Sequence, residues 1–138
     1  MYELTHHIVS LPTSQYIQEY RNPEKFISFC QQCERYNRCW ACPPFEFNTD
    51  EYLSGYQQTY IIGTKITFET ATRNSCTTLE RHKTISLQAI ESARKIIDPR
   101  LLTLEHEYPD SRAFYAGTCH LCPLNSCTRI NGFPCLHP

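Results

Sequence analysis

The sequence predicts a small single α+β domain with a two- to three-stranded sheet, helices packed on it and two cysteine-rich metal-binding loops. Three observations support this class. One segment alternates apolar and polar residues with the period of a strand, several segments carry helix-start signals, and eight of the nine cysteines form two tight groups. The 138 residues suit one domain, so we assign residues 1–138 to a single cysteine-rich metal-binding domain.

The sequence of the N-terminal region predicts one strand and one helix. Residues 5–11 carry enough apolar side chains for a short strand. Residues 13–20 follow with helical spacing, which places Tyr16, Ile17 and Tyr20 on one face.

A second helix is predicted to begin at Asn22-Pro23. Asparagine is a preferred N-cap, and proline is favoured at the first helical position. We expect this helix to turn Phe26 and Phe29 inward and to end at Cys30.

A third helix start is followed by the clearest strand. The helix begins after Asn48, and its expected buried side comprises Tyr52, Leu53 and Tyr56. Residues 60–70 alternate with period two, which predicts a strand. Its apolar face comprises Tyr60, Ile62, Thr64, Ile66 and Phe68.

A long helix and a last strand complete the predicted elements. Thr77 and Glu80 fit a capping box that opens the helix. Asp98-Pro99 is expected to end or restart it, because proline disfavours helical geometry in the preceding residue. Residues 112–118 are predicted as a strand that leads into the second cysteine group. The helix's apolar stripe comprises Ser86, Ala89, Ile90, Ala93, Ile96 and Ile97.

Composition and charge exclude several classes of protein. The formal net charge of −1 gives no electrostatic reason to bind nucleic acid or an anionic membrane surface. The N-terminus lacks the basic and apolar regions of a signal peptide, so we expect a cytoplasmic protein. Thiols stay reduced in the cytosol, where a cysteine-rich pattern indicates metal or redox chemistry rather than disulfides.

The cysteine spacing predicts metal ligands. Three C-x-x-C pairs occur within the two groups, and such a pair lets two thiolates converge on one ion or on one face of a cluster. Two alternatives fit the pattern less well. Buried structural cysteines do not cluster at this spacing, and a thioredoxin-like dithiol would explain one C-x-x-C pair but not eight cysteines. The first group is Cys30, Cys33, Cys39 and Cys42; the second is Cys119, Cys122, Cys127 and Cys135.

The spacing favours an iron–sulfur cluster, with zinc as the alternative. Zinc ribbons separate their two C-x-x-C knuckles by about 15–20 residues, whereas Cys33 and Cys39 have only five residues between them. Prolines beside several of the cysteines are a feature of ferredoxin loops. Neither group matches the bacterial ferredoxin run, and the groups can form two sites or merge into one.

Two motifs resemble the domain of unknown function 2284 family, small cysteine-rich proteins described as predicted metal-binding. The first motif joins Cys30-x-x-Cys33 and Tyr36 to Trp40 and Cys42-Pro43-Pro44; the second joins Gly117-x-Cys119-x-Leu121-Cys122 to Pro134-Cys135-x-x-Pro138. The resemblance implies a metal or iron–sulfur site and no particular reaction. Cys39 lies outside the family pattern, and Cys127 follows Cys122 at a longer spacing than the family shows.

Other candidate residues have weaker support. Cys76 precedes the long helix, a position that suits a reactive thiol or an extra ligand, but a packed or half-exposed thiol beside a helix cap is the commoner case. His120 and His137 flank ligand cysteines, and we expect both to act around the site or in solvent rather than as ligands. Trp40 suits two roles equally well: its ring could shield the site from water, or it could simply pack in the core.

Three functions follow as hypotheses. The first is a protein with one or two iron–sulfur clusters held by the eight cysteines, for electron transfer or redox support of a protein partner. The second is a zinc-stapled domain that binds another protein. The third is an iron–sulfur enzyme with an open coordination position, if one site has only three thiolates. Whether the protein is an enzyme, and its oligomeric state, stay open.

Overall fold

The computed structural model describes residues 1–137; Pro138, which closes the second family motif, lies outside the described residues. This part of the chain contains a two-stranded antiparallel sheet and five α-helices, which confirms the α+β prediction. In chain order they are β1 (Tyr2–Pro12), α1 (Thr13–Glu19), α2 (Pro23–Gln31), α3 (Thr49–Ser54), β2 (Gln58–Phe68), α4 (Thr70–Ser75) and α5 (Leu79–Glu107).

The chain divides into two compact units. The helix unit comprises Met1–Val9 and Ile61–Phe114, and the cysteine unit comprises Ser10–Tyr60 and the segment that begins at Tyr115. Each has a small core. Among residues 1–137, the buried residues are Ala89, Ala93 and Arg94 in the helix unit, and Leu11, Thr13 and Cys39 in the cysteine unit. The assignment of residues 1–138 to one domain stays a prediction.

The strands pair over their whole length. The Glu69 amide donates to the Met1 carbonyl at one end (3.2 Å), and the Thr13 amide donates to the Gln57 carbonyl at the other (3.0 Å). The strand predicted at residues 5–11 is confirmed and extends further in both directions. The strand predicted at 60–70 is confirmed, with both ends two residues earlier.

The covered face of β2 is shorter than its alternation predicts. Thr64, Ile66 and Phe68 are half-buried as expected. Tyr60 and Ile62 are exposed, which makes the prediction wrong at these two positions. A two-stranded sheet offers too little neighbouring structure to cover a whole face.

The start of α2 is confirmed, and the inward orientation of its aromatic rings is wrong. Asn22 Oδ1 accepts from the Lys25 amide (3.0 Å), and Cys30 lies in the last turn. Phe26 and Phe29 are 53% and 61% exposed. No residue of α2 is buried, so these rings do not enter a core. They contact each other instead, with centroids 6.1 Å apart.

Asn48 caps α3 as predicted. Its Oδ1 accepts from the amides of Asp50 (3.0 Å) and Glu51 (3.2 Å). α3 packs against α1. On its expected inner side, Leu53 and Tyr56 are half-buried, whereas Tyr52 is exposed.

Removal of this cap gives a first testable prediction. We expect Asn48→Ala to lower the free energy of unfolding by about 1 kcal/mol, because two amides of the first turn lose their acceptor. Asn48→Asp keeps an acceptor oxygen and is expected to stay near the wild-type value. Urea titration of both variants checks this; equal losses would show that the acceptor oxygen of residue 48 is not the source of the stability.

The long helix begins one residue later than predicted. Thr78, not Thr77, is the N-cap, and its hydroxyl accepts from the Arg81 amide (3.2 Å). The predicted stripe is buried at Ala89 and Ala93. It is only partly covered elsewhere, since Ile90 and Ile96 are exposed.

The predicted break at Asp98-Pro99 is wrong, because α5 runs through it to Glu107. A proline lacks the amide for one helical hydrogen bond, and side chains reinforce this turn. Asp98 accepts from Nε (3.0 Å) and Nη2 (2.7 Å) of the buried Arg94. The Thr103 hydroxyl donates to the Pro99 carbonyl (3.0 Å).

The strand predicted at residues 112–118 is wrong: this segment holds no strand. The Ser111 amide turns back to the Tyr108 carbonyl (2.9 Å), and the Ala113 amide donates to the Glu105 carboxylate (2.8 Å). Gly117 has a left-handed φ of 88°. A side-chain acceptor and a left-handed glycine both divert the backbone from an extended ladder.

Candidate metal centre

The first C-x-x-C pair follows directly from α2. Cys30 lies in its last turn, and the Cys33 amide donates to the Cys30 carbonyl (3.0 Å). The Arg35 amide then approaches Cys33 Sγ at 3.5 Å. The helix end and the tight turn place both thiols in one short stretch. Cys33 is exposed and Cys30 is half-buried.

The second pair occupies a closed loop. The Cys42 amide donates to the Cys39 carbonyl (3.0 Å), which forms the turn between these cysteines. The Asn37 amide donates to the Pro43 carbonyl (2.8 Å) and closes the loop around them. Asn37 has a left-handed φ of 59°, a conformation that asparagine tolerates better than most residues. Cys39 is the most buried of the nine cysteines at 4% exposed.

The second cysteine group lies in turns. The Leu121 amide approaches Cys119 Sγ at 3.5 Å, and the His137 amide approaches Cys135 Sγ at 3.3 Å. Cys127 is the N-cap of a 3-10 turn, Thr128–Asn131. All eight cysteines of the two predicted groups therefore belong to the cysteine unit.

One hydroxyl joins the two groups. Thr118 Oγ1 lies 3.5 Å from Sγ of Cys39 and 3.5 Å from Sγ of Cys42. Thr118 immediately precedes Cys119, whose own amide also hydrogen-bonds to Cys39. The structure thus brings Cys39, Cys42 and Cys119 together from distant parts of the sequence.

Arg129 joins the same segments through backbone carbonyls. Its Nη1 donates to the carbonyls of Cys39 (2.9 Å) and Cys42 (2.7 Å). Its Nη2 donates to Asn37 Oδ1 (3.3 Å) and to the Pro44 carbonyl (2.5 Å). A planar guanidinium can serve four acceptors in this way, which a lysine cannot.

Trp40 takes part in this junction. Its Nε1 donates to the Phe133 carbonyl (3.0 Å), and its ring lies beneath the Arg129 guanidinium, 5.1 Å from the centroid. The ring therefore anchors the second cysteine segment to the first loop, and the cation–π contact adds to the hold.

The environment of Cys39 lowers its pKa. Burial, the largest cause, raises the pKa, but several hydrogen bonds together outweigh it. They come from the Thr118 hydroxyl, the amides of Ala41 and Cys119, and Cys42.

The pKa values of the neighbouring thiols shift upward. Burial is the largest cause for both Cys42 and Cys119. The negative charge of Cys39 raises both further. Cys33 adds to the effect on Cys42, and Cys122 and Cys135 add to the effect on Cys119.

Two of the joining residues are not sequence-predicted site residues. Thr118 and Arg129 stand beside cysteines, and a hydroxyl and a cation inside a cysteine motif are the signals that could have identified them. Their partners lie many residues away in sequence, so only the fold reveals the contacts.

The other candidates have different surroundings. Cys76 belongs to the helix unit, where its thiol donates to the Thr72 carbonyl (3.4 Å). His120 is exposed. The His137 carbonyl accepts from the Cys135 thiol (3.4 Å). Over residues 1–137, no three His, Cys, Asp or Glu side chains form a group arranged to hold a metal ion.

The chemistry of the donors fits a thiophilic metal. Both thiols of the Cys39/Cys42 pair contact one hydroxyl, and a guanidinium binds the carbonyls of the same loop. Soft thiolates select zinc, copper(I) or iron–sulfur clusters. The fold and these donors define a small α+β protein of the cysteine-rich metal-binding class.

The chain belongs to the DUF2284 family, described as predicted metal-binding protein, whose family model matches residues 16–138. This confirms the resemblance found in the cysteine motifs. No curated protein and no solved structure matches the chain at the significance we required. No helix in residues 1–137 combines the length and the apolar character needed to span a membrane.

Proposed function

We propose that the chain is an iron–sulfur protein that transfers electrons to or from a protein partner. The observation that carries this proposal is the hydrogen bonding of the cysteine sulfurs. Three accept from backbone amides and two lie beside the Thr118 hydroxyl. Such bonds stabilise the negative charge on cluster thiolates and raise the reduction potential.

Loop spacing supports a cluster over zinc. Cys33 and Cys39 are separated by five residues, far fewer than the knuckles of a zinc ribbon. Pro43 follows Cys42 and Pro123 follows Cys122, as proline follows a ligand in ferredoxin loops. Both features fit a chain that wraps around a polynuclear group.

Exposure supports a role in electron transfer. Cys33 and Cys135 are exposed, and the apolar side chains of Leu124 and Phe133 beside the second group are 75% and 63% exposed. A reduced partner protein could approach this side of the cysteine unit, give up one electron and be oxidised. An oxidised partner would accept that electron in turn. When bound, the cluster supplies the one-electron couple.

Anaerobic purification followed by metal analysis tests the proposal. We expect a broad absorption band at about 400 nm, with iron and sulfide in equal amounts per chain. Cys76→Ala, in the helix unit, is the matched control and should keep both. A colourless protein with stoichiometric zinc would overturn the proposal and support a zinc-stapled interaction domain.

A further inference from the structure

β1 and β2 keep one register from end to end. The residues in contact across the sheet are Met1 and Glu69, Tyr2 and Phe68, His6 and Thr64, and Thr13 and Gln57. The backbone bonds at both ends join odd-numbered residues of the two strands. In an antiparallel pair, every second residue bonds to the neighbouring strand. The even-numbered residues of β1 therefore turn their amides and carbonyls to its other side, which we call the outer edge of β1.

The outer edge of β1 pairs with no strand in the part of the chain that the structure describes. The sheet consists of β1 and β2, and apart from this pairing residues 2–8 make no backbone bond within residues 1–137. A row of open amides and carbonyls is a template for another strand. The residues that present these groups are Tyr2, Leu4, His6 and Ile8.

Side chains along this edge are also uncovered. Ile8 and Val9 are 64% and 61% exposed, and Glu3 and His7 are exposed as well. Over the described residues, neither Glu3 nor His7 takes part in an ion pair. The strand thus presents apolar surface, a carboxylate and an imidazole, all in the helix unit.

We propose that the outer edge of β1 binds the same edge of a second copy of this chain. The two β1 strands run antiparallel about a twofold axis at Thr5 and join the two sheets into one of four strands. This interface goes beyond the proposed function, because it lies in the helix unit and involves no cysteine of the two groups. The pairs across the axis are Tyr2 with Ile8, Glu3 with His7, Leu4 with His6, and Thr5 with the other Thr5.

Charge and side-chain complementarity favour a second copy as the occupant. Each Glu3 carboxylate faces a His7 imidazole, and symmetry provides this acid–base pair twice. Tyr2 opposite Ile8 is an aromatic–β-branched pair, and the Thr5 pair can share a hydrogen bond. These are the classes of cross-strand pair that stabilise an antiparallel sheet.

The neighbouring registers lack this complementarity. Only even-numbered residues can bond across the outer edge, so the axis moves in steps of one whole residue along β1. An axis at His6 would place the two His6 side chains opposite each other and Glu3 opposite Val9. An axis at Leu4 would place Glu3 opposite Thr5.

The outer edge of β2 is a poorer candidate for pairing with itself. Lys65 is the single charged residue of β2, so no acidic residue of the same strand can face it. The acid–base pair therefore distinguishes β1 from β2.

Charge reversal across the axis tests the proposal. Sedimentation of the full chain as purified, over a wide range of concentrations, is expected to show a monomer–dimer equilibrium. His7→Glu places two pairs of carboxylates opposite each other and should raise the dimer Kd at least about tenfold. The double variant Glu3→Lys/His7→Glu exchanges the two charges and should restore the dimer. Gln58→Glu adds the same charge at an exposed position of β2 and should leave the Kd unchanged.

Amide exchange of the wild-type chain tests the same edge without depending on a variant. By NMR, exchange of the even-numbered amides from Tyr2 to Ile8 should slow as the concentration rises, because the dimer bonds them. The even-numbered amides from Tyr60 to Phe68, at the outer edge of β2, should exchange at a rate independent of concentration.

The possible results separate the occupants of this edge. A chain that stays monomeric at every concentration would overturn the proposal and would leave the edge to a strand of a different protein. A dimer that His7→Glu does not weaken, or that the double variant does not restore, would overturn it as well. Slower exchange at β2 instead of β1 would move the interface to the other edge and contradict the proposed axis.

Discussion

Replacement of Arg129 by alanine is expected to lower the free energy of unfolding of the cysteine unit by about 2–4 kcal/mol. Four acceptors lose a charged donor, among them the carbonyls of Cys39 and Cys42 at the candidate centre. These carbonyls are partly buried, so water replaces the guanidinium only in part. The loss should therefore exceed that of an ordinary surface arginine.

The single tryptophan makes this measurement specific. Trp40 contacts Arg129 directly, so its fluorescence during a urea titration reports on the junction itself. Arg129→Lys keeps the charge without the planar fork, and we expect an intermediate loss. Arg38→Ala removes an exposed arginine from the same loop and should change the midpoint little. Equal midpoints for Arg129→Ala and Arg38→Ala would contradict the role given to Arg129.

Local signals in the sequence predict much of the fold. Asn22 and Asn48 are caps because their side chains serve amides two or three residues away, and such contacts depend on neighbouring sequence alone. The alternation in residues 60–70 likewise reports a period that any strand must have.

Side-chain contacts account for the errors in the predicted secondary structure. The helix continues through Pro99 where a break was predicted, and an arginine one turn earlier holds Asp98 in place. The strand predicted at 112–118 is absent because the Glu105 carboxylate takes the Ala113 amide. In both places a side-chain contact determines the backbone conformation. The periodicity of apolar residues does not reveal such contacts.

The candidate site also has features that the local sequence predicts and features that only the fold shows. Cysteine spacing predicts which residues are ligands, because a C-x-x-C turn is local chemistry. Spacing leaves open whether the two groups form one site or two. The contacts of Thr118 and Arg129 bear on that question, and both contacts link residues far apart in sequence.

Removal of the metal is expected to unfold the cysteine unit while α5 stays folded. Among the described residues of this unit, Leu11, Thr13 and Cys39 are buried, and so small a core adds little free energy of folding. Residues 32–47 contain turns and no helix or strand, so their backbone bonds are local. In so small a unit the free energy of metal binding becomes free energy of folding.

Hydrogen–deuterium exchange of the loaded and chelator-stripped chain measures this directly. We expect amides in residues 32–47 and 117–135 to exchange at least about tenfold faster without metal, the change that about 1.4 kcal/mol of opening free energy produces. Amides of α5 should keep their protection, because its 29 residues bond to their own backbone and it carries Ala89 and Ala93 in the core of the helix unit. Return of the metal should restore the cysteine unit. Unchanged exchange there would show that turns and the Arg129 contacts suffice to fold it, and equal losses in α5 would show that the two units fold as one.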